Sequence, residues 1–596
     1  MATLKRNQVP KELTWDLTRI FEDDSAWQKE ADAVKAQIET LQPLSETLTT
    51  SGKALYEGIT KILAVQRRLE KVYVYATLSS DVDTTNSHYL GLVSKAQALA
   101  SHFQTQTAFF DSSILSLSKA QLSAFEAQEP RLKVYAHFLD GIFIKKTHTL
   151  PADQEKIAAA ATSALDSSAN TFNVLTNSDL AYPFVEDDQG DTVQLTESLY
   201  DILIQSQDRE VRQEAFQALY STIGQFENSL ASTLAGNVKA HNFNAQIHHY
   251  PDARTAALSA NNVPLNVYDT LIKQVHEHLP LLHRYVALRK KILGLDDLQM
   301  FDIYVPITGK PALTYSLEEA KGMAKKALSV LGSDYLSHVD EIFTNRMIDV
   351  AANQGKVTGA YSGGSYDTDP YELLNWEDSF DALYTLVHET GHSVHSWYTR
   401  HTQPYVYGDY PIFVAEIAST TNENILTEYL LDHLHDKATR AFVLNHYLDS
   451  FKGTLFRQTQ FAEFEQFIHE SDAQGQPLTA QVLDDFYGKL NAAYYGPSMI
   501  SGPEIAKEWA RIPHFYYNFY VYQYATGFAA ATTLANHVVH GSQAQRDAYL
   551  GFLKAGSSAY PTDIMKKAGV DMTQDAYLEE AFATFEKRLD EFESLL

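Results

Sequence analysis

The sequence predicts a mostly α-helical protein of more than one lobe, on three observations. Apolar residues recur at three- and four-residue spacing through most of the chain, strand signals are few, and 596 residues are several times the usual domain size. Ile59, Ile62, Val65, Leu69 and Val72 mark one buried helix face, and Leu271, Val275, Leu279, Leu282 and Val286 mark another. β-Branched and aromatic residues alternate near Gly and Asp between Tyr182 and Val193 and between Val357 and Tyr366, which predicts small sheets there. No fixed-period repeat or Pro/Gly-rich linker marks a boundary. A soft cut near residue 195 divides an N-terminal helical region, 1–195, forming part of one lobe, from the region that carries the chemistry, 196–596.

Composition narrows the function classes. Lys and Arg total 47 against 75 Asp and Glu, a formal charge of −28, so nucleic acid and anionic membranes are poor partners. With no Cys, the chain has neither disulfides nor thiolate metal sites, and a transition metal must be held by His and carboxylate. The first seven residues lead into polar, mixed-charge sequence without an apolar core, and no run of about 18 apolar residues follows. These features point to the cytoplasm, with neither secretion nor membrane insertion.

The chemistry is concentrated in Leu383-Tyr-Thr-Leu-Val-His-Glu-Thr-Gly-His-Ser-Val-His-Ser-Trp397, whose apolar positions 383, 386, 387, 394 and 397 follow a buried helix. His388 and His392 are four apart, so a helix presents both imidazoles on one face, close enough to hold one Zn²⁺ per chain. Glu389 sits roughly 100° further round the axis and can address a water activated by the metal. Left without a metal, these polar groups on an apolar helix would cost about 1–3 kcal/mol each. His395, further along the helix, reads as a packing residue or as support behind a ligand.

A catalytic zinc needs a third protein ligand. A motif with a third His would want Gly at 395 and His at 398, where the sequence has His395 and Tyr398, so a carboxylate from a second helix is the candidate. Glu416 is embedded among Phe413, Val414, Ala415, Ile417 and Ala418, where a metal would explain a carboxylate. Glu423, two turns on, is either an acceptor behind the ligands or a rival ligand.

Two further segments bear on substrate. Gly355–Tyr366 joins a β-like run to four glycines, and reads either as an edge strand that pairs with an extended peptide or as a Gly-rich turn. Its Gly359–Tyr366 part has no Asp or Glu of the kind an aminopeptidase uses to hold a free amine, which favours internal cleavage. After Pro513, the residues His514, Tyr517, Tyr520 and Tyr524 fall on one helical stripe, either a core or a set of donors for an oxyanion.

At these residues, and over essentially the whole chain, the sequence resembles the thimet-oligopeptidase-like family of zinc metallopeptidases, in its bacterial oligoendopeptidase F branch. The resemblance runs through Tyr75–Thr85, Asn173–Leu180, Asn261–Pro264, Asp302–Pro306, Gly359–Ser362, His388–His395, Phe413–Ser419 and His514–Gly527. Its most specific part is the extended His-Glu-x-Gly-His-x-x-His form, with Gly391 and His395 in place. It implies a multi-helical, two-lobed clam shell with a deep substrate channel and a small β-sheet near the zinc helix. It implies Zn²⁺ on His388, His392 and Glu416 with Glu389 as general base. It also implies oxyanion and substrate contacts from His514, Tyr517, Tyr520 and Tyr524, and a substrate strand at Gly359, Ala360 and Tyr361. The expected activity is hydrolysis of internal bonds of short oligopeptides by a metal-activated water. A peptide-binding protein with structural zinc and a metal-free scaffold are the rivals. Three ligands beside a non-ligating Glu389 is catalytic stoichiometry, whereas a closed structural site would engage a fourth side chain.

Overall fold

In the computed structural model, which describes residues 4–309 and 313–596, the chain is built mostly of helices, with three small sheets among the described residues. It separates into two compact units, each drawn from three stretches of sequence. The first comprises Met1–Thr147, Leu313–Tyr429 and Leu534–Gly569, and the second His148–Ala312, Leu430–Thr533 and Val570–Leu596. The cut near residue 195 falls inside the first stretch of the second unit.

In the first unit, helix α1 (Gly52–Asp81) opens on Ser51, whose hydroxyl accepts the Ala54 N–H at 3.1 Å. Its predicted apolar face, Ile59 to Val72, is buried. The Trp27 indole packs there and donates to the Val72 carbonyl at 2.8 Å. Strands β1 (Ile348–Asp349), β2 (Tyr361–Gly363) and β3 (Tyr371–Leu373) form a sheet in the order β1-β3-β2, so β2 is an edge. β1 runs parallel to β3, and β2 antiparallel to it with Ser362 opposite Glu372. The strand signal at Val357–Tyr366 contains β2, whereas β1 and β3 are wholly buried and show no alternation. Asp349 anchors the sheet, its buried carboxylate taking Lys356 at 2.7 Å and Arg6 at 2.9 Å. The chain then enters α2 (Phe380–Thr402), capped by the Ser379 hydroxyl, and α3 (Ile412–His433).

The second unit carries the long helices Arg209–Ile247 and Leu265–Leu293. The predicted face of the latter, Leu271 to Val286, is no more than 7% exposed at any of its five residues. Asn262, with φ of 50°, turns the chain ahead of Pro264, the residue that caps this helix. The strand signal after Tyr182 forms an antiparallel hairpin, Phe184–Glu186 with Thr192–Gln194, closed at Gly190 with φ of 78°. Asp302 is fully buried and accepts from Arg209 at 2.9 Å and Arg212 at 2.8 Å. Burial alone would raise its carboxyl, but the two guanidinium bonds hold it below the ordinary range.

Truncating Asp302 to Ala leaves Arg212 buried and uncompensated. The expected loss is about 3–5 kcal/mol, read as a lower urea midpoint.

Candidate metal centre

Helix α2 buries Leu383, Leu386, Val387 and Val394 and turns His388 and His392 to one side, with ring centroids 4.9 Å apart. Helix α3 brings Glu416 to the same point, its Oε2 lying 3.2 Å from His388 Nε2 and 3.3 Å from His392 Nε2. The ligand atoms of these three residues all lie within 4.8 Å of one another. Two imidazoles and one carboxylate are a donor set that zinc takes, and three donors leave a coordination position for water or substrate. Glu423 is not in this group. It takes the Nδ1–H of His388 at 2.6 Å, which fixes the ring and leaves Nε2 facing Glu416. Burial disfavours a charged His388, but its bonds to Glu416 and Glu423 override that and raise its pKa well above the ordinary value. A cation among these atoms takes the place of that proton.

Gly391 explains how α3 comes so close. A Cβ there would stand 2.7 Å from Ser419 Cα and 3.2 Å from the Ala418 carbonyl oxygen. Asn422 locks the crossing by reaching the Val387 carbonyl at 3.4 Å and the Tyr335 hydroxyl at 2.9 Å.

Glu389 is 6% exposed, and no described protein group hydrogen-bonds its carboxylate. Burial pushes its pKa up, against the pull of His388 and His392. His395 is not with the ligands. Its ring stacks on Tyr410 at 3.8 Å and is buried against Phe552, a packing role.

The Gly355–Tyr366 segment lies against the same unit's core. Gly359 has φ of 80°, a left-handed conformation that disfavours any side chain. Tyr361, at the start of β2, donates to Asp81 of α1 at 2.6 Å, and Ala360 precedes it without entering the strand. The Tyr75–Thr85 stretch buttresses this segment through Val357 N–H to the Asp81 carbonyl at 2.8 Å and Thr84 N–H to the Gly355 carbonyl at 2.7 Å. A chain of side chains then joins the strand to the metal helix: Ser362 Oγ lies 2.9 Å from Ser393 Oγ, which donates to Glu372 at 2.8 Å. Glu372 is fully buried, and burial pushes its carboxyl up to about 8. Sequence reasoning passed over Glu372, although a lone acid in Pro-Tyr-Glu-Leu-Leu is a visible oddity.

His514, Tyr517, Tyr520 and Tyr524 belong to the second unit, where the structure brings all four together. Ring centroids lie 5.4 Å from His514 to Tyr517, 5.8 Å from His514 to Tyr524 and 5.3 Å from Tyr520 to Tyr524. They do not share one helix. Pro513–Tyr516 is a 3₁₀ turn, and the α-helix begins only at Tyr522. Between them Asn518 and Phe519 take φ of 50° and 57°, and Glu465 holds this bend by accepting the Phe519 N–H at 2.5 Å. Burial lowers the pKa of His514.

A family model described as peptidase family M3 matches residues 202–584, and one described as oligopeptidase F matches residues 113–182. The group B oligopeptidase PepB of Streptococcus agalactiae serotype III (strain NEM316) is 50% identical over 591 residues, 99% of this chain and 98% of that protein. The oligopeptidase PepF of Bacillus subtilis (strain 168) is 48% identical, covering 99% of this chain and 88% of that one. The crystal structure of oligoendopeptidase-F from Enterococcus faecium matches with a TM-score of 0.76 at 44% identity, over 96% of this chain and 99% of that chain.

Replacing Glu423 by Ala removes the acceptor behind His388. Zinc affinity is expected to fall about 10–100-fold, measured by competition with a chromophoric chelator. Glu372 has a second, pH-dependent signature. Its folded pKa of about 8 exceeds the ordinary 4.5, so the folded state keeps a proton that the unfolded chain releases, and stability declines as pH rises between those values. Glu372→Gln should flatten the fall in Tm across that window.

Proposed function

The chain belongs to peptidase family M3, and on that footing we propose that it is a zinc-dependent endopeptidase that hydrolyses internal bonds of short oligopeptides. The observation that carries this reading is the convergence of His388, His392 and Glu416 beside a Glu389 carboxylate without protein partners. These three residues would hold one Zn²⁺ per chain. When bound, the ion supplies Lewis acidity, which polarises a carbonyl and brings a water's pKa toward neutrality.

Glu389 accepts the proton of the attacking water and passes it to the leaving amine, a task that its raised pKa suits. We assign oxyanion and substrate contacts to His514 and to the hydroxyls of Tyr517, Tyr520 and Tyr524. Gly359, Ala360 and Tyr361 lead into the open edge of β2, where an extended peptide would pair through its backbone. The names of the relatives, oligopeptidase and oligoendopeptidase, support short peptides as the substrate class. We keep residues 1–195 as the N-terminal helical region and 196–596 as the catalytic region, since the two family matches lie on either side of that cut. The absence of Cys is our reason for a cytoplasmic placement. No helix among the described residues is long and apolar enough to cross a membrane.

The test is cleavage of an internally quenched, end-blocked peptide before chelation, after it, and after return of stoichiometric zinc. Internal cleavage that the chelator abolishes and zinc restores is expected. In Glu389→Gln, peptide and metal should still bind while kcat falls about 10²–10⁴-fold. A rate equal to the parent enzyme's would remove Glu389 from the mechanism.

A further inference from the structure

We propose that a cavity inside the second unit binds a carboxylate of the substrate peptide, an inference that rests on the peptidase reading above. The cavity encloses about 520 Å³, within the range of about 300–1,000 Å³ usual for small-ligand sites. His514, one of the residues assigned to substrate contact, lines it.

An accounting of donors and acceptors identifies the ligand class. Arg457 gives one N–H to Glu508 at 2.6 Å, and Arg511 gives one to Glu197. The second oxygens of those acids are taken by the hydroxyls of Tyr487 and Tyr182. Each oxygen of both acids therefore already accepts one hydrogen bond, while each guanidinium has four N–H groups left. Arg511 Nε is buried without a partner. Tyr200, Tyr220 and Tyr304 line the same cavity, and their hydroxyls hydrogen-bond to no described protein group. Asp201, the remaining acid of the lining, is exposed at its rim, and burial on its inner side raises its pKa against the pull of Arg511. A recess with surplus donors on two cations suits a group that only accepts, and a planar carboxylate matches the guanidinium fork.

The backbone supplies an independent observation. Leu175–Asp179 and Lys452–Phe456 are the two π-helical turns among the described residues. Thr176 and Asn177 of the first line the cavity, as does Arg457, the residue that follows the second. Such turns are rare and occur frequently at functional sites. The Asn173–Leu180 motif thereby acquires a role that the metal centre does not give it.

The carboxylate can come from the peptide's C-terminus or from an acidic side chain. The experiment uses one fluorescein-labelled peptide with a single Glu in three forms: unmodified, C-terminally amidated, and with Glu replaced by Gln. Kd is read by anisotropy on the full-length, zinc-loaded Glu389→Gln variant, and cleavage of the same peptides by the parent enzyme is followed separately. Amidation or the Gln replacement is expected to weaken binding about tenfold, and the form that does so identifies the source. In Tyr200→Phe/Tyr304→Phe, which removes hydroxyls that hold no protein group, the gap should shrink. Equal Kd values for all three forms, or no binding of any, would overturn the proposal. Cleavage by the parent enzyme reports on the peptidase reading whichever result is obtained.

Discussion

The candidate metal centre depends on the distance between two helix backbones. Glu416 has a short side chain, and it reaches both imidazoles because α3 crosses α2 at Gly391 with no side chain between them. On the α3 side the crossing presents two polar residues, Ser419 and Asn422, both fully buried. Ser419 satisfies its hydroxyl on the carbonyl of Glu416 and Asn422 reaches Tyr335, so polar groups pack in the interface without being stranded. A larger residue at 391 would separate the donors before it disturbed either helix, so the glycine is a requirement of the site more than of the helix, where it is unfavourable.

Buried acids divide into two kinds in this protein. Asp349 and Asp302 lie beside Lys and Arg, and each organises the chain around it. Glu372 and Glu465 form no ion pair among the described residues, and burial pushes both up to about 8. The first pair holds structure by ionic bonds. The second pair sits under segments assigned to substrate: Glu372 opposite Ser362 in the sheet and Glu465 under the bend at Phe519. Glu465 fixes its segment through one directional hydrogen bond, and Glu372 reaches its segment through Ser393.

The helices and the two histidines of the candidate metal centre were legible because both follow a period. Leu271 to Val286 repeat at helical spacing and are buried, and His388 and His392 stand one turn apart. The sequence left Glu423 open between ligand and support, since its position on the stripe allows both. The direction of the His388 ring favours support. The stripe through Tyr520 was read as one helix because neither Asn518 nor Phe519 is a glycine that would signal a break. The bend is held from Glu465, 54 residues away, and a local pattern cannot show a long-range bond. The interleaving of the two units was illegible for the same reason, since no linker marks where the chain leaves one for the other.

The edge position of β2 has a consequence for how the protein avoids its own kind. A strand edge that can pair with a peptide, as proposed for β2, is equally open to the same strand of another copy, and long flat edges polymerise. Here the open stretch is three residues, and it stops at Gly364, whose φ of 149° takes the backbone off the strand path. An edge this brief offers too few rungs for two copies to hold each other without further contacts. A peptide can be gripped elsewhere along its length, so the same brevity that discourages self-pairing still allows a substrate to be held.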